Sequence, residues 1–159
     1  MSLVQKAIAN PMTLRPILSV LAALLMMTAV ARADMPMFYS SKGAAIGGYD
    51  TVAYFTAGKA QRGRSDIAVM WKGAMWLFSN RRNRDIFEAN PRAYAPQYGG
   101  YCAYAMSKGR ALGTDPESWK IVDGKLYLIH NRTNMKVWVR NPPQYIVLSD
   151  GNWPEALGH

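Results

Sequence analysis

Cysteine is almost absent: the 159 residues hold one, Cys102. That excludes an internal disulfide, a Cys-x-x-Cys exchange pair and any zinc site built on paired cysteines. Histidine is nearly as scarce, with only His130 and the terminal His159. No His-x-x-x-His spacing exists, and two histidines are too few to suggest a Ser-His-Asp arrangement. Acid is short as well, 10 Asp and Glu against 19 Lys and Arg, for a net charge of +9. Asp50, Asp66, Asp85, Asp115 and Glu117 are scattered, so no paired carboxylates stand out for acid–base work. The Gly-Gly pairs at 47–48 and 99–100 lack the flanking spacing of a nucleotide loop. No apolar run reaches the ~20 residues of a membrane span.

The longest apolar run, Ile17 to Val30, is about 14 residues and follows a segment with Lys6, Arg15 and no acid. Ala31-Arg32-Ala33 comes next, with small residues where a signal peptidase reads. Together these features predict a secretory signal peptide over residues 1–33 and a mature domain over residues 34–159. The rival reading, an uncleaved anchor helix, is opposed by the length of the run. No cysteine at the cleavage site invites a lipid anchor, and no Arg-Arg pair marks the twin-arginine route. The expectation is a periplasmic or secreted protein with no stable membrane anchor after cleavage. Losing Lys6, Arg15 and Arg32 lowers the net charge to +6. The remaining charge is diffuse. Its densest cluster, Arg81, Arg82 and Arg84, reads as a solvated helix face, so nucleic acid is not an expected partner.

What the mature half does have is aromatic residues and turn chemistry. Met37 to Gly48 reads as an extended lead-in, Val52 to Phe55 as a short strand or turn, and Lys59 to Ser65 as loop. Ile67 to Phe78, split by Lys72-Gly73, predicts a β-hairpin. Ser79 or Asn80 should cap a helix over Arg81 to Asn90, with Ile86 and Phe87 facing the core and Pro91 ending it. A second hairpin is predicted over Trp119 to Ile129. Its Asp123-Gly124 supplies the two positive-φ positions of a type I′ turn. Asn131 to Asn141 again reads as helix, closed by Pro142-Pro143. Between the hairpins, Tyr101 to Ser107 reads as one or two helical turns. Farther on, Gln144 to Asp150 is a short helix or strand, and Trp153 should tuck onto the body.

The two hairpin–helix units, about 67–94 and 118–145, overlay without a gap at an offset of 51 residues. Gly73 and Gly124, Asn80 and Asn131, Pro91 and Pro142, and Tyr94 and Tyr145 are among the identities; Phe87 and Trp138 are a conservative match. The expected fold is a small single α+β domain built from two such units, an internal duplication in which each hairpin face is covered by its partner.

Ile46-Gly47-Gly48-Tyr49-Asp50-Thr51-Val52-Ala53, the hairpin Trp71 to Ser79, the stretch Phe87-Glu88-Ala89-Asn90-Pro91-Arg92-Ala93-Tyr94 and Tyr98-Gly99-Gly100-Tyr101-Cys102 together resemble the YHS-domain family. The likeness is to its exported bacterial members, and it covers nearly all of the mature chain. It implies a treble-clef-like α+β fold and a small metal-binding module, with cysteines near the first strand and at the hairpin–helix junction. This chain departs from that pattern at both places. Ala53 stands where the first cysteine is expected, and Phe78-Ser79-Asn80 holds none. The usual cysteine metal site is therefore missing, and the fold carries over without it.

The soft ligands that remain are Cys102, Met106 one helical turn on, and His130 at the second hairpin–helix junction. They form a candidate site for copper or another soft metal ion, and Tyr98, Tyr101 and Cys102 a candidate small-ligand site. Met70 and Met75 read as core filler. The leading expectation is a non-enzymatic metal- or small-ligand-binding module centred near Cys102. Two alternatives stand beside it. One is a thiol-dependent redox protein, which requires a base beside Cys102 or a lowered Cys102 pKa. The other is a protein-interaction scaffold in which Cys102 is a buried small hydrophobe.

Overall fold

The computed structural model describes residues 35–158. The predicted signal segment lies outside the described residues. Among the described residues six short strands pair in three separate antiparallel hairpins, among which six α-helices are distributed. This is the expected α+β class. No helix among the described residues is long and apolar enough to cross a membrane.

The first hairpin is a small clasp, β1 (Ser40–Ser41) on β2 (Ala44–Ala45). A helical turn, α1 (Ala53–Thr56), follows. Here the expectation of a strand or turn fails. The Asp50 carboxylate accepts the backbone N–H groups of Val52 (3.0 Å) and Ala53 (3.1 Å), which seeds a helix in an otherwise ambiguous apolar run.

The next hairpin is β3 (Arg64–Trp71) with β4 (Ala74–Phe78). Alternation along β4 buries Ala74, Trp76 and Phe78. Met70, expected in the core, is 61 % exposed, because the same alternation turns it outward. Helix α2 (Arg81–Ala89) is capped by Asn80, whose side chain accepts the Asn83 N–H at 2.9 Å. It buries Phe87 fully and Ile86 in part. Pro91 then opens a further turn, α3 (Pro91–Tyr94). Helix α4 (Ala103–Met106) fills the region around Cys102.

The second long hairpin is β5 (Asp115–Val122) with β6 (Lys125–Ile129). Helix α5 (Arg132–Trp138) is capped by Asn131 on the Asn134 N–H at 2.8 Å. Pro142-Pro143 does close this unit. It also begins helix α6 (Pro142–Asn152), because proline at the first helical position gives up only an N–H that had no partner. Trp153 packs against Tyr98 and Tyr101.

The two hairpin–helix units match position by position. Turn residues Lys72 (φ 47°) and Gly73 (φ 77°) correspond to Asp123 (φ 50°) and Gly124 (φ 72°). Each hairpin has one register irregularity, between Arg64 and Ala68 and between Asp115 and Trp119, again 51 residues apart. Trp76 lies 5.2 Å from Phe87 at 32°, and Tyr127 lies 5.5 Å from Trp138 at 37°.

The correspondence continues upstream of the hairpins at an offset of 52. Ile46, Gly47 and Gly48 have φ of 45°, 68° and 80°; Tyr98, Gly99 and Gly100 have φ of 53°, 60° and 83°. The N–H of Asp50 donates to Gln61 O at 2.8 Å, and that of Cys102 to Leu112 O at 2.9 Å. One residue fewer separates the second pair than the first. The repeat is therefore Ile46-Gly47-Gly48-Tyr49-Asp50 against Tyr98-Gly99-Gly100-Tyr101-Cys102, interrupted by a single deletion. A gapless overlay at 51 could not show it.

The core follows the same plan. One cluster gathers Phe38, Trp76, Phe78 and Phe87; another gathers Tyr101, Tyr127, Ile129 and Trp138. A third joins the copies, with Ile46 and Tyr54 from the first and Leu126 and Leu128 from the second. Tyr54 crosses between them. Its ring meets Trp119 edge-on at 5.0 Å, and its hydroxyl donates to Pro116 O at 3.0 Å.

Candidate functional site

Cys102 is fully buried at the start of α4. Its Sγ accepts the N–H of Ala105 at 3.4 Å and that of His130 at 3.1 Å. Burial pushes the thiol pKa up, opposed by those N–H groups. The local chemistry is that of a neutral, enclosed thiol.

Its counterpart Asp50 explains the position. Asp50 is also fully buried and accepts the N–H three residues on, from Ala53. Its second oxygen accepts the N–H of Ser79 at 2.8 Å. Ser79 is the counterpart of His130. The Ser79 hydroxyl (2.6 Å) and the Asn83 side-chain amide (2.7 Å) complete the set. One position in each copy thus ties the start of a helical turn to the end of a hairpin, with a carboxylate in the first copy and a thiol in the second.

The other residues singled out from the sequence separate around this point. Met106 is buried one turn after Cys102 and donates its N–H to Cys102 O at 2.8 Å. His130 meets Cys102 through its backbone. Its ring turns away, with Nδ1 2.8 Å from Gly113 O. A carbonyl only accepts, so Nδ1 is the donor in this contact and Nε2 is the ring nitrogen left open. Among the described residues no group of three or more His, Cys, Asp or Glu is placed to hold a metal ion. Tyr101 is buried and donates to Pro36 O at 2.8 Å. Tyr98, in its left-handed conformation, donates to Asp150 at 2.8 Å. Burial first, and then the Asp150 carboxylate, hold its hydroxyl protonated far above the ordinary phenol range.

Tyr98 and Gly99 nonetheless border open space. A cleft of about 410 Å³ is lined by them together with Met37, Phe38, Trp71, Lys72, Arg92 and Trp153. The two tryptophans are anchored in different copies. Trp71 packs on Phe38 (5.3 Å) and Phe87 (5.6 Å), and Trp153 on Tyr98 (6.1 Å) and Tyr101 (6.5 Å). Gly99 brings the lead-in strand against the floor. A Cβ there would sit 1.9 Å from Met37 O, so only glycine fits. The Lys72 ammonium lies 5.2 Å from the Trp71 ring centroid. Among the described residues no carboxylate lines the cleft, and neither Lys72 nor Arg92 makes an ion pair. The arrangement suits a ligand with a flat apolar body and a negative group.

Sequence reasoning placed Tyr98 here and missed Trp71, Lys72, Arg92 and Trp153. The turn residue Lys72 carried the available signal: lysine is a poor choice for a left-handed position, where Asn, Asp or Gly is favoured. Comparison with protein-family models, with curated proteins and with solved structures found no match.

Proposed function

We propose that this protein is an exported, non-enzymatic module of the YHS type that binds a small organic acid in the cleft between Trp71 and Trp153. One observation carries the reading: two cations without an ion pair and two tryptophans line one cleft of about 410 Å³ that, among the described residues, no carboxylate enters. The two ring faces take the apolar body, and Lys72 and Arg92 take the carboxylate. The signal-like segment and the YHS-like motifs support the periplasmic assignment and the module class. Cys102 serves this reading as a structural acceptor behind Tyr101, and its enclosed neutral thiol weighs against thiol-redox chemistry.

Indole-3-carboxylate and benzoate test the reading by tryptophan fluorescence and calorimetry on residues 34–159. Binding in the micromolar range should weaken at least tenfold in Lys72→Gln/Arg92→Gln and in Trp153→Ala. Equal binding by the variants, or none by the parent, rules the cleft out.

A second reading keeps a soft metal such as copper at Cys102, Met106 and His130. The Nδ1 contact to Gly113 O favours it, since it leaves Nε2 as the ring nitrogen open to a metal. Stoichiometric Cu(I) binding by the parent and its loss in Cys102→Ala would establish that site; no binding by either removes it.

A further inference from the structure

The duplication gives the first copy a Gly-Gly turn of its own, and it too borders a cavity. This cavity holds about 160 Å³ beside Ile46-Gly47, the counterpart of Tyr98-Gly99. At ~30 Å³ for each water, that is room for roughly five waters, on the scale of a small oxyanion. Its lining differs from the aromatic cleft in one respect and agrees in another. Among the described residues no tryptophan borders it, and its two tyrosines are already engaged, Tyr39 packed 5.7 Å from Tyr101 and Tyr49 covered by the Arg62 guanidinium, so it has less ring face to offer a flat ligand. Yet it again carries one lysine and one arginine, Lys42 and Arg62, and among the described residues no carboxylate.

Of the two cations, Arg62 has a fixed partner. Arg62 pairs with Tyr49 in an isolated antiparallel bridge, and its guanidinium carbon lies 4.8 Å over the Tyr49 ring. Stacking fixes the guanidinium plane and leaves its N–H edge for a bidentate acceptor. Lys42 sits at φ 54° in the β1–β2 turn, and the Ser41 hydroxyl stands beside it in the lining. The hydroxyl of Thr114 already donates to Gly100 O at 3.1 Å and so serves as wall rather than donor. Three acids adjoin the lining in sequence: Asp50 is held by Ser79 and Asn83, Asp115 by the Glu117 N–H and the Ser118 hydroxyl, both at 3.0 Å, and Glu117 is exposed outside the lining. Among the described residues neither Lys42 nor Arg62 makes an ion pair.

We infer that the cavity between Lys42 and Arg62 is a second binding site, for a small oxyanion without an aromatic body, a free phosphate or a short carboxylate. It is separate from the cleft at Trp71 and Trp153 and stands whether or not that cleft binds an acid. The same turn in each copy floors a site with two cations. The first copy takes a bare oxyanion and the second an anion with a flat body attached.

Inorganic phosphate and acetate, titrated at constant ionic strength into 15N-labelled residues 34–159, test this. The expected result is saturable shifts at the amides of residues 41–48 and of Arg62 with one of the two anions. Lys42→Gln/Arg62→Gln should weaken binding at least tenfold, and Lys72→Gln/Arg92→Gln should leave it within twofold. The order of affinity tells phosphate from carboxylate. Both double variants replace exposed cations, and the unshifted amides of the core report that each is folded. Shifts that grow linearly and spread over the basic surface overturn the proposal, as does equal binding by the Lys42→Gln/Arg62→Gln protein.

Discussion

Asp50 and Cys102 occupy one structural position with opposite chemistries, and their removal should differ accordingly. Asp50→Ala strands two backbone N–H groups at the start of α1, the Ser79 N–H and the Asn83 amide. Leaving buried donors unpaired at a charged hub costs about 3–5 kcal/mol. Cys102→Ala strands two N–H groups held by a weaker acceptor, for about 2 kcal/mol. Urea unfolding of the two variants checks the order. The Cys102 thiol also sets a pH dependence. Its folded pKa is raised, so the folded state keeps a proton that the unfolded chain gives up above about pH 8.5. Stability is full below that pH and falls as pH rises through the folded pKa; the raised pKa values of Tyr54 and Tyr98 extend the loss above about pH 10. Cys102→Ser should flatten the first part of that fall in thermal midpoints. At this scale the sequence was a poor guide. A lone cysteine draws attention to reactivity, whereas the buried carboxylate that carries the same structural duty looked like one scattered acid among several.

At the scale of elements much more could be read in advance. Asp123-Gly124, the caps Asn80 and Asn131, and Pro91 each act through local stereochemistry, which needs no tertiary knowledge. The structure has each in its expected role. Val52 to Phe55 went wrong because its fate is decided by the Asp50 side chain rather than by its own pattern. The upstream half of the repeat stayed hidden because one deleted residue between Cys102 and Leu112 breaks the register. The candidate cleft was legible only in part, since Trp71, Arg92 and Trp153 meet from three elements far apart in sequence. Lys72 links turn chemistry to that cleft. In the left-handed region asparagine is less strained than lysine, so Lys72→Asn should stabilise the protein by about 0.5 kcal/mol while weakening indole-3-carboxylate binding. Paired melting and titration curves check both signs. A stability gain without an affinity loss would remove Lys72 from the site.

For the whole molecule the decisive feature is the cluster the copies share. Ile46 and Tyr54 are buried against Leu126 and Leu128, so neither copy covers its own apolar surface. The segment 35–96 alone should give a collapsed NMR spectrum without cooperative unfolding, and mixing it with the segment 97–158 should restore dispersion. A folded isolated half would mean that each copy is a domain in its own right.

The cleft walls belong to different halves: Trp71 is rooted in the aromatic cluster of one and Trp153 in that of the other. Anything held between the two rings therefore works as a clamp. Such a ligand should raise the free energy needed to part the halves.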